Sequence, residues 1–158
     1  MAVPDHLRSY WQAFTAATGL GDESRFYEAF AFGDSAELAR ELAELVLSGV
    51  KRATAGSAWA SESEGKPHPK AGDLSIVTTW DGRPLCVIET ESIEIVNFDQ
   101  VTAEFAAAEG EGDGSLSFWR TAHRQYFERE CRRIGRTFTE AMPVVCERFK
   151  VVFQDSVA

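Results

Sequence analysis

The sequence predicts an α+β fold in a single domain that spans residues 1–158. Apolar residues recur at helical spacing in some segments, whereas other segments alternate apolar and polar residues as strands do. No internal repeat, low-complexity tract or linker divides the chain, and 158 residues suit one domain. Because the predicted strands are few and mostly antiparallel, we expect them to close into a small β-barrel flanked by helices.

The first 50 residues predict three helical segments. The first is an N-terminal helical extension at about residues 1–24, which ends near Gly19 and has four apolar residues on one side: Leu7, Tyr10, Trp11 and Phe14. A second short helical piece is expected at Arg25–Phe30. Asp34 is expected to cap the third helix and Gly49 to end it. Its apolar stripe consists of Leu38, Leu42, Leu45 and Val46.

The middle of the chain predicts extended structure. Residues 50–59 are expected to be extended or irregular, and residues 61–72 form a polar loop with two prolines. Leu74–Trp80 and Leu85–Val96 alternate as strands do, and the Asp81-Gly82 pair between them is typical of a hairpin turn.

Two helices and a strand are predicted for the last third of the chain. Asp99 is expected to cap a helix that Gly110 ends, and either Asp113 or Ser115 is expected to cap the next helix. Val144–Phe153 predicts a final strand.

The charge distribution favours a small ligand over a long polyanion. The net charge is −9, and the stretch between Arg83 and Arg120 contains acidic residues but no Lys or Arg. A protein that holds nucleic acid through its phosphates usually has a basic face, so the average field here repels RNA, and no DNA partner is expected. A local basic surface, such as the arginines that begin at Arg120, would weaken this argument.

Composition also bears on the compartment. No apolar run approaches the ~20 residues of a membrane span, so no membrane partner is expected. The N-terminus does not have the pattern of a signal or transit peptide. Three widely spaced cysteines fit reduced thiols better than a disulfide framework: Cys86, Cys131 and Cys146. We therefore expect a cytoplasmic protein, while its oligomeric state stays open.

A family resemblance begins at the end of the third predicted helix. The segment Gly49-Val50-Lys51-Arg52-Ala53-Thr54 resembles the Gly-x-Lys-x-x-Thr signature of the ASCH family, relatives of the PUA domain. Further segments are similar to the longer bacterial branch: Phe32–Ser35 before this signature, and Ala71–Asp73, Glu109–Asp113 with Ser115 and Trp119, and Val144–Phe149 after it. The resemblance covers about residues 25–153 and implies a PUA-like barrel with a cleft beside the lysine.

The resemblance also implies an activity and its residues. Small bacterial members resemble amidohydrolases of N(4)-acetylcytidine, and their catalytic Lys, Thr and Glu fall on Lys51, Thr54 and Glu109, with Glu111 as an alternative to Glu109. The implied function is binding of RNA or a pyrimidine nucleoside, with hydrolysis of this type. Two alternatives are a ribonuclease that needs Mn²⁺ or Mg²⁺, and a non-catalytic RNA-binding module.

The residue types suit amide hydrolysis. Thr54 offers a hydroxyl nucleophile, and a buried Lys51 could take its proton because desolvation lowers the pKa of an ammonium group. Glu109 could protonate the departing amine, and backbone amides of Gly110–Gly114 could stabilise the oxyanion. One objection is that positions 51 and 54 point to opposite faces of a regular strand, so the segment must turn.

Other side chains are candidates for substrate binding. We assign this role to Trp59, which could stack on a base, and to four polar residues: Glu89, Glu111, Arg120 and His123. Each of these residues also has a purely structural interpretation. The four polar residues could be ion-paired or solvated, and Trp59 could belong to the core. No His-x-x-x-His or Cys-x-x-Cys spacing occurs, so neither a metal site nor a cofactor is predicted. The ribonuclease alternative would place its metal on Glu109, Glu111 and Asp113.

Overall fold

The structure, a computed structural model, describes residues 2–154 and has the expected α+β architecture. Its helices, in chain order, are α1 (Arg8–Thr18), α2 (Ala36–Leu47), α3 (Ala58–Ser63), α4 (Ala103–Glu109) and α5 (Leu116–Arg133). Its strands are β1 (Phe26–Phe30), β2 (Ala53–Ser57), β3 (Leu74–Thr78), β4 (Pro84–Asn97) and β5 (Pro143–Gln154). No helix among the described residues is long and apolar enough to cross a membrane.

The five strands form one sheet in the order β1-β3-β4-β5-β2. Only the β1–β3 pair is parallel, and the other three pairs are antiparallel. The expectation of a closed barrel is wrong, because within residues 2–154 β1 and β2 are the two edges of the sheet and do not pair with each other. Register shifts near Ile88 and Ser92 interrupt the long β4–β5 ladder, and such bulges bend a sheet without closing it.

Three apolar clusters hold the helices on this sheet. The first packs α1 against β1, β3 and β4, through residues such as Trp11, Phe14, Phe26, Leu74 and Val87. The second packs α2 against the middle of the sheet, through Leu42, Val46, Val77, Ile88 and Phe149. The third joins α4 and α5 to the far ends of β4 and β5, through Phe98, Phe105, Trp119, Phe127 and Met142.

Several local predictions are confirmed. Gly19 follows α1 in the left-handed conformation, with φ of 73°, and Gly49 follows the last turn of α2 with φ of 83°. The Asp81-Gly82 turn joins β3 to β4, and Ser115 caps α5 by accepting a hydrogen bond from the Phe118 amide.

Other local predictions are wrong. Residues 26–30 form strand β1 and not a helix, because their pairing with β3 outweighs any local helical spacing over so few residues. Ser35, and not Asp34, caps α2, while Asp34 accepts hydrogen bonds from Arg129. Thr102, and not Asp99, caps α4. Part of the expected polar loop, through residue 63, is helix α3.

Candidate active site

A cleft of about 610 Å³ opens between the α2 cluster and the α5 cluster. Its lining comes from α2, α3, α5, the edge strands β1 and β2, strand β5 and the loop at residues 64–69. Five residues singled out in the sequence line it: Lys51, Thr54, Glu109, Glu111 and His123. The structure therefore brings together residues that are 72 positions apart along the chain.

The backbone after α2 turns Lys51 into this cleft. The amides of Val50 and Lys51 both donate to the Leu45 carbonyl at 3.0 Å, which closes the end of the helix. The Arg52 amide then donates to the Ala108 carbonyl at 2.8 Å, and β2 begins only at Ala53. Because Lys51 precedes the regular strand, strand alternation does not separate it from Thr54, and both side chains line the cleft.

The Lys51 ammonium group is only 2% exposed and uses all three of its hydrogens. Nζ donates to the Ala53 carbonyl at 2.8 Å, to Glu109 Oε2 at 2.9 Å and to Glu111 Oε2 at 2.9 Å. It also lies 5.5 Å from the centre of the Phe32 ring. A buried ammonium group that is fully hydrogen-bonded is a fixed positive charge at the floor of the cleft.

Glu109 is held in place from the opposite side. It is the last residue of α4 and is 1% exposed. Trp119 Nε1 donates to Glu109 Oε1 at 3.0 Å, and His123 Nε2 lies 3.5 Å from the same oxygen. The His123 ring stacks on Trp119, with centroids 4.1 Å apart. The carboxylate therefore bridges the lysine after α2 to the aromatic face of α5.

Gly110 makes this close approach sterically feasible. It ends α4 in the left-handed conformation, with φ of 68°, and a Cβ atom there would lie 2.6 Å from the Val50 carbonyl oxygen. Any side chain would push α4 away from the Lys51 segment. The glycine that the sequence showed only as a helix end is therefore also a packing requirement of the site.

The charges of this cluster differ from the sequence-based expectation. Burial lowers the pKa of Lys51, but the carboxylates of Glu109 and Glu111 outweigh burial, so the pKa is raised above its ordinary value. The direction of the pKa shift is therefore opposite to the expected one, and this arrangement does not favour Lys51 as a base. Lys51 is a permanent cation here.

The two carboxyl groups titrate in opposite directions. Burial raises the pKa of Glu109, but the charges of Lys51 and His123 outweigh burial and hold the pKa well below its usual range. Burial, followed by a hydrogen bond with Glu109, raises the pKa of Glu111 to about 7. Of the two carboxyl groups that the sequence left open, Glu111 is thus the one that can accept and return a proton near neutral pH.

Glu147 is a cleft residue that the sequence analysis did not assign. It lies on β5, directly opposite Thr54 in the β2–β5 pairing. Thr90 Oγ1 donates to Glu147 Oε2 at 2.6 Å. Burial raises the pKa of Glu147 to about 7. The signal in the sequence was a carboxylate inside the apolar run that forms the last strand.

The other predicted binding residues lie outside the cleft lining. Trp59 packs beside the α4–α5 cluster, and the Arg136 guanidinium group lies 4.4 Å from its ring centre. Glu89 forms an ion pair with Arg25 at 3.0 Å. Arg120 is exposed and donates to the Asp99 carbonyl at 3.4 Å. None of these three residues belongs to the lining of this cleft.

Two of the backbone amides expected to stabilise an oxyanion already donate to carbonyl groups. The Gly110 amide donates to the Ala106 carbonyl at 3.2 Å, and the Gly114 amide donates to the Glu111 carbonyl at 2.9 Å. Of residues 110–114, Glu111 alone lines the cleft. Lys51 also lines the cleft, and its buried ammonium group is a fixed positive charge there.

A divalent metal would compete with Lys51 for one donor set in the cleft. Glu109, Glu111 and His123 offer ligand atoms that lie within 4.8 Å of one another, which is a suitable spacing for an ion. However, Lys51 Nζ already lies 2.9 Å from both carboxylates, and a divalent cation there would face the ammonium charge. In this arrangement Lys51 supplies the positive charge that a metal would bring.

Comparison with known proteins defines the class of protein. The family profile of the ASCH domain matches residues 28–153, so the chain belongs to the ASCH family, within the PUA-like superfamily of RNA-binding folds. A search of curated proteins found no significant match.

Two solved structures are similar along most of the chain. The crystal structure of an ASCH domain from Lactobacillus crispatus is 35% identical and superimposes with a TM-score of 0.87, covering 96% of this chain and 97% of that one. A protein from Enterococcus faecalis is 32% identical, with a TM-score of 0.80 and coverage of 92% and 86% respectively.

Proposed function

We propose that this ASCH protein hydrolyses the acyl amide on N4 of a cytidine nucleoside, as the N(4)-acetylcytidine amidohydrolases do. The observation that carries the proposal is the Lys51 ammonium group, held at 2.9 Å from both Glu109 and Glu111 in a cleft that Thr54 also lines. A volume of about 610 Å³ suits a small ligand.

Each residue has a role that its charge supports. Glu111, with a pKa of about 7, takes the proton from the Thr54 hydroxyl as its oxygen bonds to the acyl carbon. Lys51 stabilises the negative charge that develops on the acyl oxygen. Glu109 stays ionised and holds Lys51 in position.

The remaining steps return the protein to its starting state. The bond between the acyl carbon and N4 breaks, Glu111 gives its proton to N4, and cytidine leaves. Water then attacks the acyl-threonine, Glu111 accepts one of its protons, and the carboxylic acid departs as that proton returns to the Thr54 oxygen. The balance is one amide and one water consumed, with one cytidine and one acid formed.

One observation favours a second candidate, a metal-dependent ribonuclease. It is the spacing of Glu109, Glu111 and His123, whose ligand atoms lie within 4.8 Å of one another. The ammonium group of Lys51 between the two carboxylates makes this candidate the weaker one. The net charge of −9 also disfavours this candidate, because an acidic protein repels the phosphates of a long RNA.

Chromatography of N(4)-acetylcytidine incubated with the purified protein tests the proposal. We expect cytidine to appear with and without EDTA, and to be lost in Glu111→Gln and Lys51→Met. Lys150→Met serves as the control for Lys51→Met, because Lys150 is an exposed lysine in a single, 3.9 Å ion pair. Absence of cytidine from the unmodified protein would contradict the proposal. Cleavage of RNA that EDTA abolishes would support the ribonuclease candidate instead.

A further inference from the structure

Glu147 faces the cleft without a cationic partner. Its carboxyl group accepts one hydrogen bond, from Thr90 Oγ1 at 2.6 Å, and within residues 2–154 it forms no ion pair. In the β2–β5 ladder it lies opposite Thr54, the proposed nucleophile. Lys51, by contrast, holds both other carboxyl groups of the site. Among the cleft carboxyl groups that the proposed chemistry leaves unused, Glu147 is the one directly opposite Thr54.

The surroundings of Glu147 favour its neutral form. Burial raises its pKa to about 7, and the negative charges of Glu28 on β1 and Asp73 before β3 act in the same direction. The Thr90 hydrogen bond and the Lys66 ammonium group lower it, but Lys66 is already paired with Glu28. A neutral carboxyl group offers one hydrogen-bond donor and one acceptor, whereas a carboxylate only accepts.

This donor and acceptor pair matches the edge of a cytosine ring. N3 of cytosine is an acceptor, and the hydrogen on N4 is a donor, so a neutral carboxyl group can bond to both. Lys51 and Thr54 are three positions apart, which is at most about 10 Å of extended backbone, and Glu147 lies opposite Thr54 in the ladder. Glu147 and the Lys51–Thr54 segment therefore line one part of the cleft, where a single small ligand can contact both.

We propose that Glu147 is the residue that recognises the pyrimidine ring, donating a hydrogen bond from its neutral carboxyl group to N3 of the bound nucleoside. This inference rests on the proposed function for the identity of the ligand. Glu147 then determines binding and orientation, while Glu111 and Thr54 act on the acyl group. Glu147→Gln preserves a donor and an acceptor at every pH, so it is the informative variant.

Isothermal titration of cytidine at pH 6 and pH 8 tests the role of Glu147. We expect the Kd of the unmodified protein to rise about tenfold across this interval, because a group with a pKa of about 7 loses its proton there. Glu147→Gln should bind as tightly as the unmodified protein does at pH 6 and should lose this rise. Glu64→Gln removes another carboxylate of the cleft lining and should keep the rise.

Three outcomes would overturn the inference. These are a Kd that changes less than twofold in the unmodified protein, the same rise in Glu147→Gln, and no binding of cytidine at either pH. Cytidine is a product and is not turned over, so this test is independent of catalysis. Binding that follows the expected pattern, without hydrolysis of N(4)-acetylcytidine, would reject the proposed activity and leave the role of Glu147 standing.

Discussion

Replacing Lys51 with methionine removes the positive charge of the cluster but keeps a side chain of similar length. Glu109 is 1% exposed and Glu111 is half-buried, so both carboxyl groups lose their shared cation in a place that water reaches poorly. Removing one partner of a buried ion pair costs about 3–5 kcal/mol. For a chain of this size that loss corresponds to a fall in Tm of about 6–20 °C.

The pH dependence of this loss follows from the carboxyl groups. In the unmodified protein the folded-state pKa of Glu109 lies below its ordinary value, so its stabilising contribution is present above the unfolded pKa and is lost as pH falls. Without Lys51, Glu109 loses the largest charge that opposes burial, so its folded-state pKa rises relative to that of the unmodified protein. The difference in stability between the variant and the unmodified protein therefore grows as pH rises and Glu109 ionises. We expect the deficit in Tm to be largest near pH 8 and smallest near pH 5.

Thermal unfolding by circular dichroism at pH 5, 6.5 and 8 measures both effects. Lys150→Met is the matched control, since its ammonium group is exposed and lies 3.9 Å from Glu89, and loss of such a pair costs about 0–1 kcal/mol. A Lys51→Met protein that melts within 2 °C of the unmodified protein at pH 8 would refute the reasoning. So would a deficit that grows toward low pH.

Three further predictions concern the neighbours of Lys51. Glu111→Gln keeps an oxygen that can accept a hydrogen bond from Lys51 but cannot transfer a proton, so we expect kcat for N(4)-acetylcytidine to fall about 10²–10⁴-fold. The kcat of the control variant Glu64→Gln should not change. Thr54→Ser should retain turnover and Thr54→Val should abolish it, measured by cytidine release, if the hydroxyl is the nucleophile. Trp119→Phe removes the donor to Glu109 and should lower the free energy of unfolding by about 1–3 kcal/mol in urea titrations, without a comparable loss in Tyr126→Phe.

Helix and strand types were largely predictable where a segment is long and periodic. The stripe of α2, the glycines after α1 and α2, and the β3–β4 turn all follow from local rules that the structure confirms. Residues 26–30 did not follow them, because their state depends on a parallel partner 48 positions away, at Leu74. The openness of the sheet was equally inaccessible, since it depends on how far the edge strands lie from each other.

The sequence motif predicted which residues share the cleft, but the sequence could not predict their pKa shifts. The resemblance led to Lys51, Thr54 and the Glu109–Glu111 pair, which share one cleft. Desolvation was the only effect on Lys51 that the sequence could suggest, and it predicts a lowered pKa. The raised pKa comes from two carboxylates about 60 residues away, whose distances are known only from the fold.

Burial gives this cleft two carboxyl groups with a pKa of about 7, Glu111 and Glu147, and their neighbours make them different. Glu111 has Lys51 beside it, so its ionised form is stabilised at the moment that it must act as a base. Glu147 has Glu28 and Asp73 nearby, so its proton is retained for donation to a ligand. The proposed chemistry needs Glu111 to be ionised and Glu147 to be protonated at the same pH. Because both groups change protonation near pH 7, we expect an ionised Glu111 and a protonated Glu147 to coexist only in a narrow pH range near neutrality.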